Sequence, residues 1–317
     1  MENFLWQPGL GHDQAALVRL RSHFERPREP MGEAWFMSDE RKMYPELLGD
    51  LASLSCRELQ DPLTEVASGT CSFGEMEEWT VWYHYLLGQL IPRSHECFVD
   101  SFLEYLVTGF IAIHPTNDGA EPYAGFRLDA LNTLGRCIMD PSCWDGSEIR
   151  LGRILHRSNN NPNRVWCWWD ASGDFSASMF FCLKYLPVSQ VPGWIESVFT
   201  ITSPHWRAQI LVWLLGARDI LIGAIKWPSD FKREGVASVS WAWSHCLGPN
   251  LAGIERTLSS AGGSLITEAA ANHVLNAVRG YFTQERYLEW LMSFDQVPYV
   301  RDEISHLPRD FEAVYMR

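Results

Sequence analysis

Apolar residues recur three and four positions apart along most of this chain, a spacing that places them on one face of an α-helix. The first such stripe follows Asp13, whose carboxylate can accept a hydrogen bond from an amide of the first helical turn. Ser203 before Pro204 gives the same kind of start signal later in the chain. Strand-like alternation is convincing only at residues 164–169. We therefore predict an all-α protein.

The helical stripes have ordinary lengths and are joined by short turns, which gives about eleven to thirteen helices. In the length of its helices and the spacing of its helical hairpins the chain resembles HEAT and armadillo solenoids, although it carries no repeat signature. This resemblance implies an irregular HEAT- or armadillo-like α-helical stack, in which each helix pair buries its apolar face against the next. A closed α/α toroid with two rings of helices is the alternative.

A polar stretch near the middle of the chain, Ser158–Asn163, contains four asparagines and a proline and has no reason to be helical. It suggests an N-terminal helical half over residues 1–157, a polar and aromatic connecting segment over 158–170, and a C-terminal helical half over 171–317. The same pattern also fits one continuous domain.

The net charge of −13 argues against general affinity for nucleic acids, which needs basic residues to displace counterions from phosphates. Residues 61–121 hold ten acidic residues against one basic residue, Arg93. This segment indicates either a cationic partner or a solvated acidic face.

We expect a cytoplasmic protein with no membrane association. The sequence begins without the basic and apolar regions of a signal peptide, and its most apolar stretch, 210–225, is too short to span a bilayer. The eight cysteines form no Cys-x-x-Cys pair, and we interpret them as reduced core residues.

The common catalytic and cofactor motifs are absent from the sequence. No lysine follows a glycine-rich phosphate loop, and neither Gly-x-Gly-x-x-Gly nor His-Glu-x-x-His occurs. Glu303 and His306 share one helical face, but a di-metal bundle needs two such pairs and further carboxylates. We therefore predict no cofactor, no metal site and no dedicated catalytic residues.

The best candidate binding surface combines arginines and tryptophans. The pattern Asp145-Gly146-Ser147-Glu148 has the form of a helix-capping box, and a helix after it would align Arg150, Arg153 and Arg157 on one face. Arg164 follows, and the alternation at 164–169 would put Trp166 and Trp168 on one face, beside Trp169. These seven residues could hold an anionic ligand or an acidic peptide, or the arginines could dock against the acidic segment 61–121.

Three functions fit these patterns. The first is a binding or scaffold protein that holds a protein partner on a curved helical surface. The second is a carbohydrate-active hydrolase or lyase on a toroid, for which Asp170 and Asp174 would be the carboxylates. The third is a helical-repeat protein that binds nucleic acid, which the acidic charge disfavours.

Overall fold

The computed structural model describes residues 3–31, 43–73, 77–95, 102–117, 119–231, 237–248, 250–251, 254–255 and 263–316. Helices dominate this part of the chain, and this confirms the all-α prediction. The described residues include 13 α-helices. They are α1 (Gln14–His23), α2 (Cys56–Phe73), α3 (Glu77–Leu90), α4 (Phe102–Ile113), α5 (Phe126–Thr133), α6 (Gly173–Tyr185), α7 (Val191–Thr200), α8 (Pro204–Gly216), α9 (Arg218–Leu221), α10 (Glu268–Tyr281), α11 (Gln284–Phe294), α12 (Pro298–Glu303) and α13 (Leu307–Tyr315).

The helix starts follow local capping chemistry. The Asp13 carboxylate accepts from the Ala16 amide at 2.7 Å, as the sequence predicts. The Ser203 hydroxyl accepts from the Trp206 amide at 3.2 Å and begins α8, with Pro204 in the first position. These side chains satisfy amides that have no partner inside the helix, so the helix boundaries can be predicted from a few neighbouring residues.

Short strands form three two-stranded ladders in the described part of the chain. The strands β1 (Trp144–Asp145) and β2 (Glu148–Ile149) are antiparallel. The strands β3 (Asp170–Ala171) and β4 (Ser238–Val239) are parallel. The strands β5 (Asn250–Leu251) and β6 (Ile254–Glu255) are antiparallel. Two of these ladders lie beside α8, because β2, β3 and β4 all contact that helix.

The helices α4, α6 and α8 form the centre of the hydrophobic core. Every residue of α4 and α6 is buried, and so are residues 204–214 of α8. α4 packs against α2, α3 and α6, whereas α8 is covered by α11, α12 and α13 as well as by the strands. Because these helices are apolar nearly all round, they can lie only where neighbours cover several faces.

Both ends of the described chain pack on its middle. The Trp6 indole meets Trp194 edge to face at 5.2 Å and donates to the Gly135 carbonyl at 2.8 Å. At the other end, the Tyr315 hydroxyl donates to the Leu214 carbonyl at 2.6 Å. No helix in the described ranges combines the length and the apolar character needed to cross a membrane.

One cysteine corrects the sequence interpretation. Five cysteines of the described residues carry free thiols, and four of these are buried as predicted. Cys56, at the start of α2, is instead disulfide-bonded. The prediction that every cysteine is reduced is therefore wrong, because it relied on Cys-x-x-Cys spacing and export signals, which do not reveal a pair that the tertiary fold brings together.

Candidate functional site

We call the segment from Arg150 to Ala171 the Trp166 loop. It consists mainly of turns and bends, ends with the short strand β3 and contains no helix. Residues 145 and 148, which the sequence assigns to a capping box, face each other across the β1–β2 hairpin. Gly146 and Gly152 adopt φ values of +61° and +86°, in the left-handed region that favours glycine. Gly146 precedes the predicted helix and Gly152 lies inside it, between Arg150 and Arg153, so the helix expected to carry the three arginines does not form.

The arginines of the predicted stripe contact different parts of the molecule. The Arg153 guanidinium donates to the His95 carbonyl, within the acidic segment. The Arg157 Nε donates to the Leu151 carbonyl at 3.0 Å, inside the Trp166 loop itself. Arg150 is exposed next to the hairpin. The spacing that would align these residues on a helix therefore creates no common cationic face.

Arg164 is fixed by α12. Its Nη2 lies 2.5 Å from a Glu303 carboxylate oxygen, and its guanidinium lies over the Tyr299 ring at 4.9 Å. Glu303, considered in the sequence as half of a possible ligand pair with His306, is thus an ion-pair partner. A cation that is paired and stacked in this way is unavailable to a ligand unless that ligand displaces the carboxylate.

The three tryptophans of the Trp166 loop differ in exposure. Trp166 and Trp169 are 64% and 52% exposed, whereas Trp168 is 2% exposed. The predicted shared face of Trp166 and Trp168 is therefore wrong, because only Val165 of this stretch forms a bridge, to Arg157, and the rest is not a strand. The Trp169 ring stacks on His306 at 4.4 Å. Two indoles thus remain at the surface while the third secures the loop.

A partly buried chain of hydrogen bonds holds the loop against α8 and α12. His205 Nδ1 donates to the Glu148 carboxylate at 2.8 Å, and the Tyr299 hydroxyl lies 2.6 Å from His205 Nε2. The Val165 amide donates to the same hydroxyl at 3.3 Å, so Tyr299 connects the Trp166 loop to His205. Burial raises the pKa of Tyr299 to about 12, so its hydroxyl keeps its proton at neutral pH.

A pocket of about 350 Å³ opens beneath Trp166. Its walls come from the Trp166 loop, the N-terminus of α6, α8 and the residue that follows β4. We call it the Trp166 pocket; it is lined by His156, Val165, Trp166, Cys167, Asp170, Ala171, Ser172, Gly173, Gln209 and Ser240. Asp170 carries the one carboxyl group in this lining, and the lining contains no lysine or arginine. The pocket is therefore suited to neutral or cationic groups.

Polar groups in the pocket wall fix its shape. The Asp170 carboxylate accepts from the Ser238 hydroxyl across the β3–β4 ladder. The Gln209 side-chain carbonyl accepts from the Ser172 amide at 2.7 Å, while its buried Nε2 has no partner. Such bonds between separate segments make the pocket a preformed feature of the fold.

Asp170 and Asp174, the carboxylates singled out in the sequence, lie in different environments. Asp170 lines the Trp166 pocket, whereas Asp174 is buried on α6 with its carboxylate 3.7 Å from His95 Nδ1. Burial lowers the pKa of His95, but Cys143 and the Asp174 carboxylate outweigh this effect and raise it well above its ordinary value. Asp174 is therefore the counter-ion of a core histidine.

Sequence reasoning missed Glu148, His205, Gln209 and Tyr299. These residues come from three elements, β2, α8 and α12, which lie far apart in the sequence. Ser203 beside His205 signals only a helix start. In the residues that the structure describes, no group of three or more histidine, cysteine or acidic side chains could hold a metal ion.

The comparisons with known proteins give no relative. No family model matches the chain, and no match was found to a curated protein or to a solved structure. Function must therefore be inferred from the geometry of the site.

Proposed function

We propose that this chain is a binding protein that holds a short segment of a partner protein at the Trp166 pocket. The observation that carries the proposal is the pair of exposed indoles, Trp166 and Trp169, on a loop that is itself firmly anchored. Exposed aromatic residues in fixed positions lose little conformational freedom on binding, and tryptophan is enriched among the residues that dominate binding energy.

The charge of the pocket favours a basic segment. Asp170 supplies a carboxylate at the wall, and no basic residue of the lining neutralises it. The whole chain carries a net charge of −13, which attracts cationic partners at long range. We infer that a lysine or arginine of the partner enters the pocket while a neighbouring apolar residue packs on Trp166.

The two alternative functions have less support. A glycoside hydrolase needs two carboxylates at the substrate, and Asp174 is committed to His95. A nucleic-acid site needs free cations, and Arg153, Arg157 and Arg164 have intramolecular partners. The neighbouring Gln209 and Trp166 would suit a sugar, so neutral oligosaccharides belong in the binding experiment.

For the scaffold that presents this site, we propose an irregular helical stack rather than a closed toroid. In a closed ring the first and last helices meet, whereas Trp6 and Tyr315 both contact the middle of the chain. The many neighbours of α8 depart from a regular solenoid, in which each unit contacts only the next.

The test is selection of peptides from a random displayed library on the purified protein, followed by calorimetric titration. We expect the selected peptides to be rich in lysine or arginine and to lose about thirtyfold in affinity on Trp166→Ala. Asp170→Asn removes the charge but keeps the oxygen that accepts from Ser238, and should abolish the preference for basic residues.

Met292→Ala is the matched control, because Met292 is 70% exposed and lies outside the Trp166 pocket. It should leave affinity unchanged. Selected peptides that bind Trp166→Ala as tightly as the unchanged protein would contradict the proposal, as would selective binding of neutral oligosaccharides in place of peptides.

A further inference from the structure

A second pocket, separate from the Trp166 pocket, contains an arginine that forms no ion pair with any described residue. It has a volume of about 380 Å³ and lies where the N-terminal segment meets α5 and the end of α6. We call it the Arg136 pocket; it is lined by Phe4, Asp13, Arg127, Leu128, Leu131, Asn132, Arg136, Tyr185, Leu186, Pro187 and Gln190. The two pockets share no lining residue.

Most polar groups of this wall are already used by the fold. The Asp13 carboxylate caps α1, and the Gln190 side-chain carbonyl accepts from the Phe4 amide at 3.2 Å. The Tyr185 hydroxyl donates to the His114 carbonyl at 2.6 Å. Arg127 forms an ion pair with Glu121 at 3.3 Å. These bonds shape the pocket, and among the groups named only the Nε of Arg127 has no hydrogen-bond partner.

Arg136 differs from all of them. Its guanidinium lies over the Phe4 ring at 4.9 Å, and no carboxylate pairs with it in the described part of the chain. The Nε atoms of Arg136 and Arg127 are both buried without a hydrogen-bond partner, so the difference between the two arginines is the carboxylate partner, Glu121, that Arg127 has. A partly buried cation without a counter-ion is costly, and the guanidinium fork matches the geometry of a carboxylate.

The rest of the wall is largely apolar. Leu131, Leu186 and Pro187 line it together with the Phe4 ring. A cavity of this size lies at the lower end of the range for small-molecule sites, which combine apolar walls with a few placed polar groups. We propose that the Arg136 pocket binds a monocarboxylate with an apolar body, whose carboxylate pairs with Arg136 and whose body contacts the leucines.

The experiment is isothermal titration of the full chain with octanoate and with octanol, its uncharged counterpart. Octanoate should bind saturably, and octanol should bind at least about tenfold more weakly, because it cannot form the charge-assisted pair. The variant Arg136→Met keeps the apolar stem and should lose at least about tenfold in octanoate affinity.

Arg127→Met is the matched control in the same pocket. Because Arg127 is paired with Glu121, this variant should keep octanoate affinity within about threefold. Circular dichroism and thermal melting check that both variants are folded. The proposal is overturned if octanoate does not bind the unchanged protein, if octanol binds equally well, or if folded Arg136→Met binds octanoate as tightly as Arg127→Met does.

Discussion

The helix α8 and the Trp166 loop lie side by side, yet they are held in place by different forces. Residues 204–214 of α8 are buried without interruption and are fixed mainly by apolar packing, with His205 as the residue of this helix that also joins the hydrogen-bonded anchor. The Trp166 loop exposes two indoles, and its Val165 amide donates to the Tyr299 hydroxyl, which is itself hydrogen-bonded to His205. Tryptophan occurs in both regions, so the same residue type stabilises the core in one and forms a contact surface in the other.

Replacing one tryptophan in each region tests most directly whether α8 and the Trp166 loop contribute differently to stability. Trp213 of α8 is fully buried against Phe180, and Trp213→Ala should lower the free energy of unfolding by about 3–5 kcal/mol. Trp166→Ala at the exposed position should change it by no more than about 0.5 kcal/mol. Urea denaturation measures both, and equal losses would show that the Trp166 loop is part of the core.

Asp174 in the core and Asp170 at the Trp166 pocket should likewise differ in how much their replacement lowers the free energy of unfolding. Asp174→Asn leaves a charged core histidine without its counter-ion and should cost about 3 kcal/mol, whereas Asp170→Asn keeps its hydrogen bond to Ser238 and should cost about 1 kcal/mol or less. Urea titrations of both variants give these values.

The pH dependence of this loss follows from the raised pKa of His95. A histidine with a raised pKa contributes stability fully below its unfolded value of 6.5, and this contribution disappears as the pH rises through the folded value. The difference between Asp174→Asn and the unchanged protein should therefore shrink in alkaline solution. A difference that stays constant with pH would disprove the ion pair.

Two other core histidines, His84 and His114, should respond to pH in the opposite way to His95. The Nε2 atoms of His84 and His114 lie 2.9 Å apart, and burial lowers the two pKa values to about 4 and about 3. The unfolded chain takes up protons near pH 6.5 and the folded chain does not, so stability falls as the pH drops below that value. From pH 7 to pH 5 we expect a loss of about 2 kcal/mol for each histidine.

His84→Gln should flatten this acid dependence in urea denaturation, while His245→Gln at an exposed position should not. An unchanged slope in His84→Gln would mean that the pair does not control acid stability.

The Tyr299 hydroxyl, which anchors the Trp166 loop, allows a test with a smaller expected effect. Tyr299→Phe removes the hydroxyl that joins His205 to the Val165 amide and should cost about 1 kcal/mol. Amide hydrogen exchange should speed up at residues 165–169 without changing in α8. Tyr105→Phe is the control, since Tyr105 is buried and has no hydroxyl hydrogen bond among the described residues. Equal exchange in both variants would contradict the anchoring role.

The sequence predicts features that depend on a few neighbouring residues. Asp13 and Ser203 cap helices because capping uses atoms three positions apart. The arginine spacing at 150–157 is equally local, but Gly146 and Gly152 adopt left-handed conformations that end any helix there. Their conformation depends on the hairpin, and spacing alone does not reveal it.

The site itself depends on distant contacts. The sequence does mark Trp166, Trp169 and Asp170 as candidates, since aromatic residues cluster beside a polar stretch. Tyr299 lies 94 positions from His205 along the chain, and their hydrogen bond exists only in the folded molecule. Asp170 and Asp174 lie in different environments because α6 places the Asp174 carboxylate beside His95, a contact that also exists only in the folded molecule.

The central claim is that recognition at Trp166 is separate from the stability of the core. The most direct measurement is the affinity of a selected basic peptide for Trp166→Ala, taken on samples whose unfolding free energy is measured in parallel. The account predicts about a thirtyfold loss of affinity with stability unchanged within about 0.5 kcal/mol. Retained affinity, or a loss that merely follows unfolding, would contradict it.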